Sequence, residues 1–235
     1  VPLRDIDATR RTLEISEMIE STGSVGPRNW RAQLLRARSE RWARDLVKQA
    51  RAGSLSLRVD APLRIIAAHL DQDGEPLDVK VAAIELLNVL RPTVAVARFI
   101  VFAALALHQR LELRQHILEG GEPYLDAFAQ EFRRHTPFFP IIGGRVKETF
   151  NWQGHRFTKG DWVILDLFGT NHDPQVWGAP ETFAPERFRE RRPSPFDLIP
   201  QGGGEPHQGH RCPGEGVAIE LTKMAARTGS VAQIR

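Results

Sequence analysis

The chain of 235 residues holds one cysteine, Cys212, in the run Pro206-His-Gln-Gly-His-Arg-Cys-Pro-Gly-Glu215. A small buried hydrophobe is the commonest fate of a lone cysteine. This loop is polar and glycine-rich, however, and a helix starts at Gly214 or Glu215. Helix N-terminal amides carry partial positive charge, and His210 and Arg211 stand beside the sulfur; both effects favour a thiolate. A thiolate is a nucleophile or a metal ligand. As a nucleophile it needs a base, for which His210, His207 and His172 are candidates, but none stands in a protease or hydrolase signature. Zinc wants more sulfur or a tight His/Cys cluster. A single thiolate suits an iron held by a macrocycle, which takes one axial ligand from the protein.

A second constellation is Asn88-Val-Leu-Arg-Pro-Thr93, set in an apolar segment with helical periodicity. Pro92 removes an amide donor and pushes on the preceding turn, which predicts an opened or kinked helix with Arg91 at the kink. Burying a guanidinium without an anion is costly. Two readings of Arg91 stand. Glu85, Asn88, Arg91 and Arg98 share one sector of a helical wheel, which is the pattern of a polar stripe facing water. Alternatively, Arg91 binds an anion at the kink. The stripe alone leaves the proline unexplained.

These groups need elements to hold them. Asp5 to Ile19 is amphipathic and predicts a helix, which Ser24 to Pro27 breaks. Trp30 to Ala50 has apolar residues at helical spacing, and Pro62 to Leu70 predicts a short helix. Asp73-Gly74-Glu75-Pro76 is a turn, after which Asp78 is placed to cap a helix. Val79 to Arg110 is apolar on most faces and predicts one long, central, buried helix. Glu122 to His135 predicts another, ended by Pro137. Arg145 to Trp152 then alternates, Gly154 turns, and Asp161 to Phe168 contains a strand-like run. Residues 171–204 are rich in Pro, Gly and Trp and show no period, and so long an irregular stretch usually has a function. Trp162 and Trp177 read as packing. Gly216 to Ala226 returns to helix.

Length allows one large domain or two small ones. Lys and Arg number 32 against 29 Asp and Glu, a net charge of +3. The arginines between Arg28 and Arg64 alternate with Trp30, Leu34, Leu35, Trp42 and Leu46, as on the solvated face of a helix. No nucleic-acid motif accompanies them, so no nucleic-acid partner is expected. One cysteine excludes an internal disulfide and suits a reducing compartment such as the cytoplasm. Val1 to Thr12 lacks the apolar core of a signal peptide. Phe99 to Leu107, the most apolar run, is too short to span a bilayer. The chain has no initiator Met and stops at Arg235 soon after its last predicted helix, which predicts a partial chain.

Cys212-Pro-Gly214 resembles the Cys-x-Gly of the cytochrome P-450 haem loop. His210 stands two residues before the cysteine, where that superfamily often places a His or Arg facing a haem propionate. Glu131-Phe-Arg-Arg134 resembles the Glu-x-x-Arg of a helix, and Pro185-Glu-Arg-Phe188, after Trp177 and Pro180, resembles the Arg-bearing meander. The resemblance implies haem b with Cys212 as the iron ligand and Gly214 in the cofactor loop. It also implies a hydrogen-bonded cluster of Glu131, Arg134 and Arg187 bracing that loop. Arg145 is either a propionate-binding arginine or a surface arginine on a strand edge. The usual loop has Phe and Gly where this chain has Glu205 and Gln208. The form Ile199-Pro-Gln-Gly-Gly-Gly204 through Gly209-His-Arg-Cys-Pro-Gly-Glu215 is similar to the fatty-acid peroxygenase branch. Phe138-Phe-Pro140 and Gly169-Thr-Asn-His-Asp-Pro174 point the same way.

Ordinary monooxygenases of the superfamily carry an acidic residue followed by Thr or Ser above the iron, and here Arg91 and Pro92 take those places. The peroxygenase resemblance implies an enzyme that hydroxylates or decarboxylates long-chain fatty acids at the alpha or beta carbon with hydrogen peroxide. Arg91 would grip the fatty-acid carboxylate, and that carboxylate would replace the missing acid–base group. No redox partner protein would be needed. Two alternatives are a conventional monooxygenase using dioxygen and a redox partner, and a truncated remnant unable to hold haem. The implied fold is mainly α with a small β region, an incomplete C-terminal portion of the P-450 fold forming one partial domain over 1–235. Residues 1–144 would be its helical core, 145–170 its β segment, 171–215 its meander and cysteine loop, and 216–227 its last helix.

Overall fold

The structure, a computed structural model, describes residues 5–21, 23–136, 138–205 and 207–231. It divides into two compact units, Val1–Ala97 and Arg98–Arg235. The predicted stop at Pro137 and the loop residue Pro206 lie outside the described residues.

The first unit holds α1 (Asp5–Glu20), α2 (Pro27–Arg51), α3 (Pro62–Ala68) and α4 (Val79–Ala95). Pro27 and Pro62 open their helices at positions where no amide donor is required. The Asp78 side chain accepts from Lys80 N at 2.8 Å and caps α4. Ala43 and Val47 of α2 pack with Leu63 of α3 and with Ala82, Ala83, Leu86 and Leu87 of α4 to form the core. Arg51 ties the end of α2 to this core, donating to Ala67 O at 3.0 Å and Leu77 O at 2.6 Å. Much of the arginine-rich stretch is neutralised locally: Arg38 pairs with Glu14 at 3.2 Å and Arg36 with Glu40 at 2.9 Å.

The second unit holds α5 (Ala97–Gln109), α6 (Leu111–His135), four strands and α7 (Leu167–Asn171), α8 (Pro174–Trp177), α9 (Arg187–Glu190) and α10 (Glu215–Val231). Strands β1 (Ile141–Arg145) and β4 (Trp162–Asp166) pair antiparallel, with Ile141 opposite Asp166 and Arg145 opposite Trp162. β2 (Phe150–Trp152) and β3 (His155–Phe157) form a separate hairpin. The core of this unit is α6, whose Leu125, Phe128, Ala129 and Phe132 are buried. The α10 helix packs along it.

Mainly α with a small β region is what the sequence predicts, but several boundaries differ. The expected single helix over 79–110 is two, α4 and α5, broken at Val96. Pro92 cannot donate, and the Thr93 hydroxyl takes the Val89 carbonyl at 3.0 Å, so the ladder loosens over that turn. The helix is also less buried than expected, since Val89, Ile100, Val101 and Phe102 are exposed. Each half turns only one face to its own unit. Taken together, Val79–Gln109 is long and apolar enough to cross a membrane by length and composition alone, which the run Phe99–Leu107 is not. Core helices pass the same test, and Ala82, Ala83, Leu86 and Leu87 are core residues.

The stretch Leu111–His135 is two helices joined at Gly121, whose φ of 60° and ψ of −153° suit glycine, so the Glu-x-x-Arg helix proper begins at Glu122. The β segment begins at Ile141, so Arg145 closes a strand rather than opening one. The last helix extends to Glu215 and Val231 on either side of the expected 216–227.

Candidate functional site

Cys212 is half-buried and lies just before the first turn of α10. Two main-chain bonds hold it. Its N–H donates to Gln201 O at 2.9 Å, and its carbonyl accepts from Glu215 N at 3.2 Å. The loop before it folds back on itself, with Gly209 N donating to Glu205 O at 2.7 Å. This fold requires Gly202: its φ is 94°, and a Cβ there would lie 1.9 Å from His210 O. The departure from the usual loop at Glu205 and Gln208 is therefore accompanied by a glycine crossing at Gly202. Gly214 leaves open the space where a Cβ would sit 3.8 Å from the Cys212 sulfur.

Beneath the loop stands the α6 helix. Arg134 donates to both oxygens of Glu131, Nε to Oε2 at 2.7 Å and Nη2 to Oε1 at 2.8 Å, and both side chains are shielded from water. Arg187 Nε lies 3.2 Å from Glu131 Oε2 as an ion pair, without the alignment of a hydrogen bond. The three predicted cluster residues thus meet. Their other bonds go to the stretch before the cysteine loop: Arg134 donates to Asn171 O and Pro180 O, each at 2.8 Å, Arg187 donates to Thr182 O at 3.0 Å, and Ala184 N donates to Glu131 Oε1 at 2.8 Å. One further link reaches the loop's start, where Ile199 N donates to Asn171 Oδ1 at 2.9 Å. Trp177 is buried under the guanidiniums of Arg134 and Arg191.

The side chain that touches the cysteine loop directly is Arg133, which the sequence reading passed over. It is 1% exposed. Its Nε donates to Gln201 Oε1 at 3.1 Å, its Nη1 to Gln130 Oε1 at 2.7 Å, and its Nη2 bonds Glu215 Oε1. Burial lowers its pKa, opposed chiefly by Glu215. Arg211 shares Glu215, with Nη2 3.0 Å from Oε1. Burial alone would raise the Glu215 carboxyl, but Arg211 and Arg133 hold it below the ordinary range. The sequence signal for Arg133 is a cation next to the Glu-x-x-Arg arginine, one turn after Gln130.

Other predicted residues stand apart from this clasp. His210 is exposed. Arg145 is exposed, donates to Gly160 O at 3.1 Å and lies 4.6 Å over the Trp162 ring. Trp162 is 65% exposed, so the expectation that it serves packing is corrected: at the end of a two-stranded sheet its ring lies against Gly143 and the Arg145 guanidinium and is otherwise open to solvent. Arg91 and Pro92 belong to the first unit. Arg91 is exposed, with Nη2 donating to Asn88 Oδ1 at 3.0 Å, and Asn88 in turn donates to Glu85 at 3.4 Å.

The cytochrome P-450 family profile matches residues 122–226, the span of the Glu-x-x-Arg helix, the meander, the cysteine loop and α10. A solved cytochrome P-450SP alpha in complex with (R)-ibuprophen is 41% identical, superposes with a TM-score of 0.91, and is matched over 99% of this chain and 57% of that one. Residues 122–226 thus carry the cytochrome P-450 profile, and nearly the whole chain is similar to a solved P-450 structure. The wild-type cytochrome P-450EX alpha solved with myristic acid is a further P-450 match, at 41% identity and a TM-score of 0.89 over 96% of this chain and 55% of that one. Among curated proteins, (+)-menthofuran synthase of Mentha piperita is 32% identical over 108 residues, 44% of this chain and 21% of that protein. The chain thus spans little more than half the length of the solved P-450 structures it matches.

The residues present fit the P-450 cofactor. No three His, Cys, Asp or Glu side chains gather to hold a bare metal ion among the described residues. The donor set is one half-buried sulfur with glycine beside it, which suits a macrocycle-held iron taking one protein ligand.

Proposed function

We propose that this chain is part of a haem-thiolate enzyme that oxidises fatty acids at the alpha or beta carbon with hydrogen peroxide, by hydroxylation or decarboxylation. The observation that carries the reading is the 41% identity to P-450 structures solved with myristic acid and with (R)-ibuprophen, both carboxylic acids. Haem b would be held by the Cys212 thiolate and would supply the iron chemistry that splits peroxide. Arg91 receives the substrate carboxylate: its guanidinium is exposed, only Nη2 donates to Asn88, and a planar fork matches a carboxylate in two places. Holding the acid end presents the alpha and beta carbons to the oxidant. The bound carboxylate accepts and returns the proton that an acidic residue and Thr or Ser relay in ordinary monooxygenases, because Pro92 has no hydroxyl to do so. On this reading no redox partner protein is needed, and the enzyme works in the cytoplasm.

The test loads the protein with haem and compares oxidation of a long-chain fatty acid driven by hydrogen peroxide with that driven by an electron-transfer chain. Peroxide-driven turnover that falls on Arg91→Ala is expected. Turnover only with the electron-transfer chain, unchanged by Arg91→Ala, would establish the conventional monooxygenase instead. Absence of the thiolate band in the reduced carbon monoxide difference spectrum would remove the haem-thiolate reading altogether.

A further inference from the structure

Two backbone bonds set where the Cys212 sulfur sits, one to Gln201 O and one from Glu215 N. A single buried guanidinium grips the side chains of both partners. Arg133 reaches Gln201 through Nε and Glu215 through Nη2, across 68 and 82 residues of chain. It is therefore the point at which helix α6, the loop and the first turn of α10 are joined. Its neighbour Arg134 faces the other way and spends its donors on Glu131, Asn171 and Pro180. Consecutive helical residues point about 100° apart, so two adjacent arginines serve two different structures. Glu215, whose carboxylate Arg133 grips, donates its own N–H to the Cys212 carbonyl, so both charges lie beside the cysteine.

We propose that Arg133 is a positioning residue for the iron ligand, fixing the Cys212 backbone through Gln201 and Glu215 and setting the electrostatic field at the sulfur together with Glu215. The proposal rests on the haem-thiolate reading and goes beyond it. It is separate from the Glu131, Arg134 and Arg187 cluster, which among the described residues reaches the cysteine loop through Asn171 and Ile199.

The charges make opposite predictions, which a packing role would not. A cation near the ligand stabilises the reduced, more negative iron centre, and an anion destabilises it. In redox titrations of the haem-loaded protein, Arg133→Gln shifts the midpoint to more negative potential and Glu215→Gln shifts it to less negative potential. Arg133→Lys, which keeps the charge, returns the midpoint toward the parent. Arg36→Gln, on a surface pair of the first unit, leaves it unchanged. Midpoints alike in all variants, or shifts of the same sign in Arg133→Gln and Glu215→Gln, overturn the proposal. Arg133→Gln risks failing to load haem because its site is buried; Glu215→Gln then decides, and an unchanged midpoint there overturns the proposal. A parent without the thiolate carbon monoxide band defeats the haem-thiolate reading and this proposal with it. The band present with no midpoint shifts defeats this proposal alone.

Discussion

Glu131 and Arg134 meet through two hydrogen bonds of 2.7 and 2.8 Å, one turn apart on α6, with neither side chain touching water. The pair also bonds main-chain groups far along the sequence, Asn171 O, Pro180 O and Ala184 N, and Arg187 lies 3.2 Å from Glu131 Oε2. A buried ion pair so fully hydrogen-bonded holds the irregular stretch against the helix. Its value shows when one member is lost, because the other is then a buried charge without a partner.

Glu131→Ala therefore destabilises the protein by about 3–5 kcal/mol, the cost of orphaning a buried charge. Chemical denaturation of parent and variant measures it. A loss below about 1 kcal/mol, the scale of an exposed pair, would mean the cluster is solvated in solution.

Gly202→Ala sets a Cβ 1.9 Å from His210 O at a φ of 94°, and main chain cannot yield there as a flexible side chain would. The expected result is a protein whose helices persist by circular dichroism while haem uptake collapses. Haem titration by absorbance is the check, and normal uptake by the variant would show that the loop adopts another path.

The Glu215 carboxyl is held below its ordinary value of 4.5 by Arg211 and Arg133. A depressed folded-state pKa contributes stability that is complete above the unfolded value and is lost as pH falls through the folded one. Thermal midpoints should accordingly drop faster below pH 4.5 in the parent than in Glu215→Gln, the two curves converging in acid. Parallel curves would show that the carboxyl gains nothing from its arginines.

Arg91 is an exposed helix residue whose Nη2 donates to Asn88 Oδ1. Its removal should change stability by no more than about 0.5 kcal/mol. The same Arg91→Ala change should lower peroxide-driven fatty-acid oxidation at least about tenfold, the scale of one lost charge-assisted hydrogen bond. Measuring denaturation and turnover on one preparation separates the two. Equal activity with an intact fold would return Arg91 to the polar stripe it forms with Asn88 and Glu85.

Much of the fold is legible without coordinates where the signal is local. Asp78 announces itself as a cap by residue type and place, and it caps α4. Pro92 signals a disturbed helix, but the turn that breaks is at Val96, since the proline's missing donor and the Thr93 hydroxyl loosen the ladder over several residues. Trp162 and Trp177 look alike in sequence, yet one lies exposed under Arg145 and the other is buried beneath Arg134. A tryptophan's burial depends on what arrives from elsewhere in the chain, which no local pattern encodes.

The order of Cys212, the Glu-x-x-Arg helix and the meander arginine is written in the sequence, because each mark is a few residues long and its chemistry follows from residue type. Arg133's role is not. Its partners lie 68 and 82 residues away, and only when α6 is buried beside the cysteine loop does one guanidinium meet Gln201 and Glu215 together. Spacing tells which side chains exist. The desolvated interior decides which of them must pair, since a buried charge is tolerated only where the chain closes partners around it.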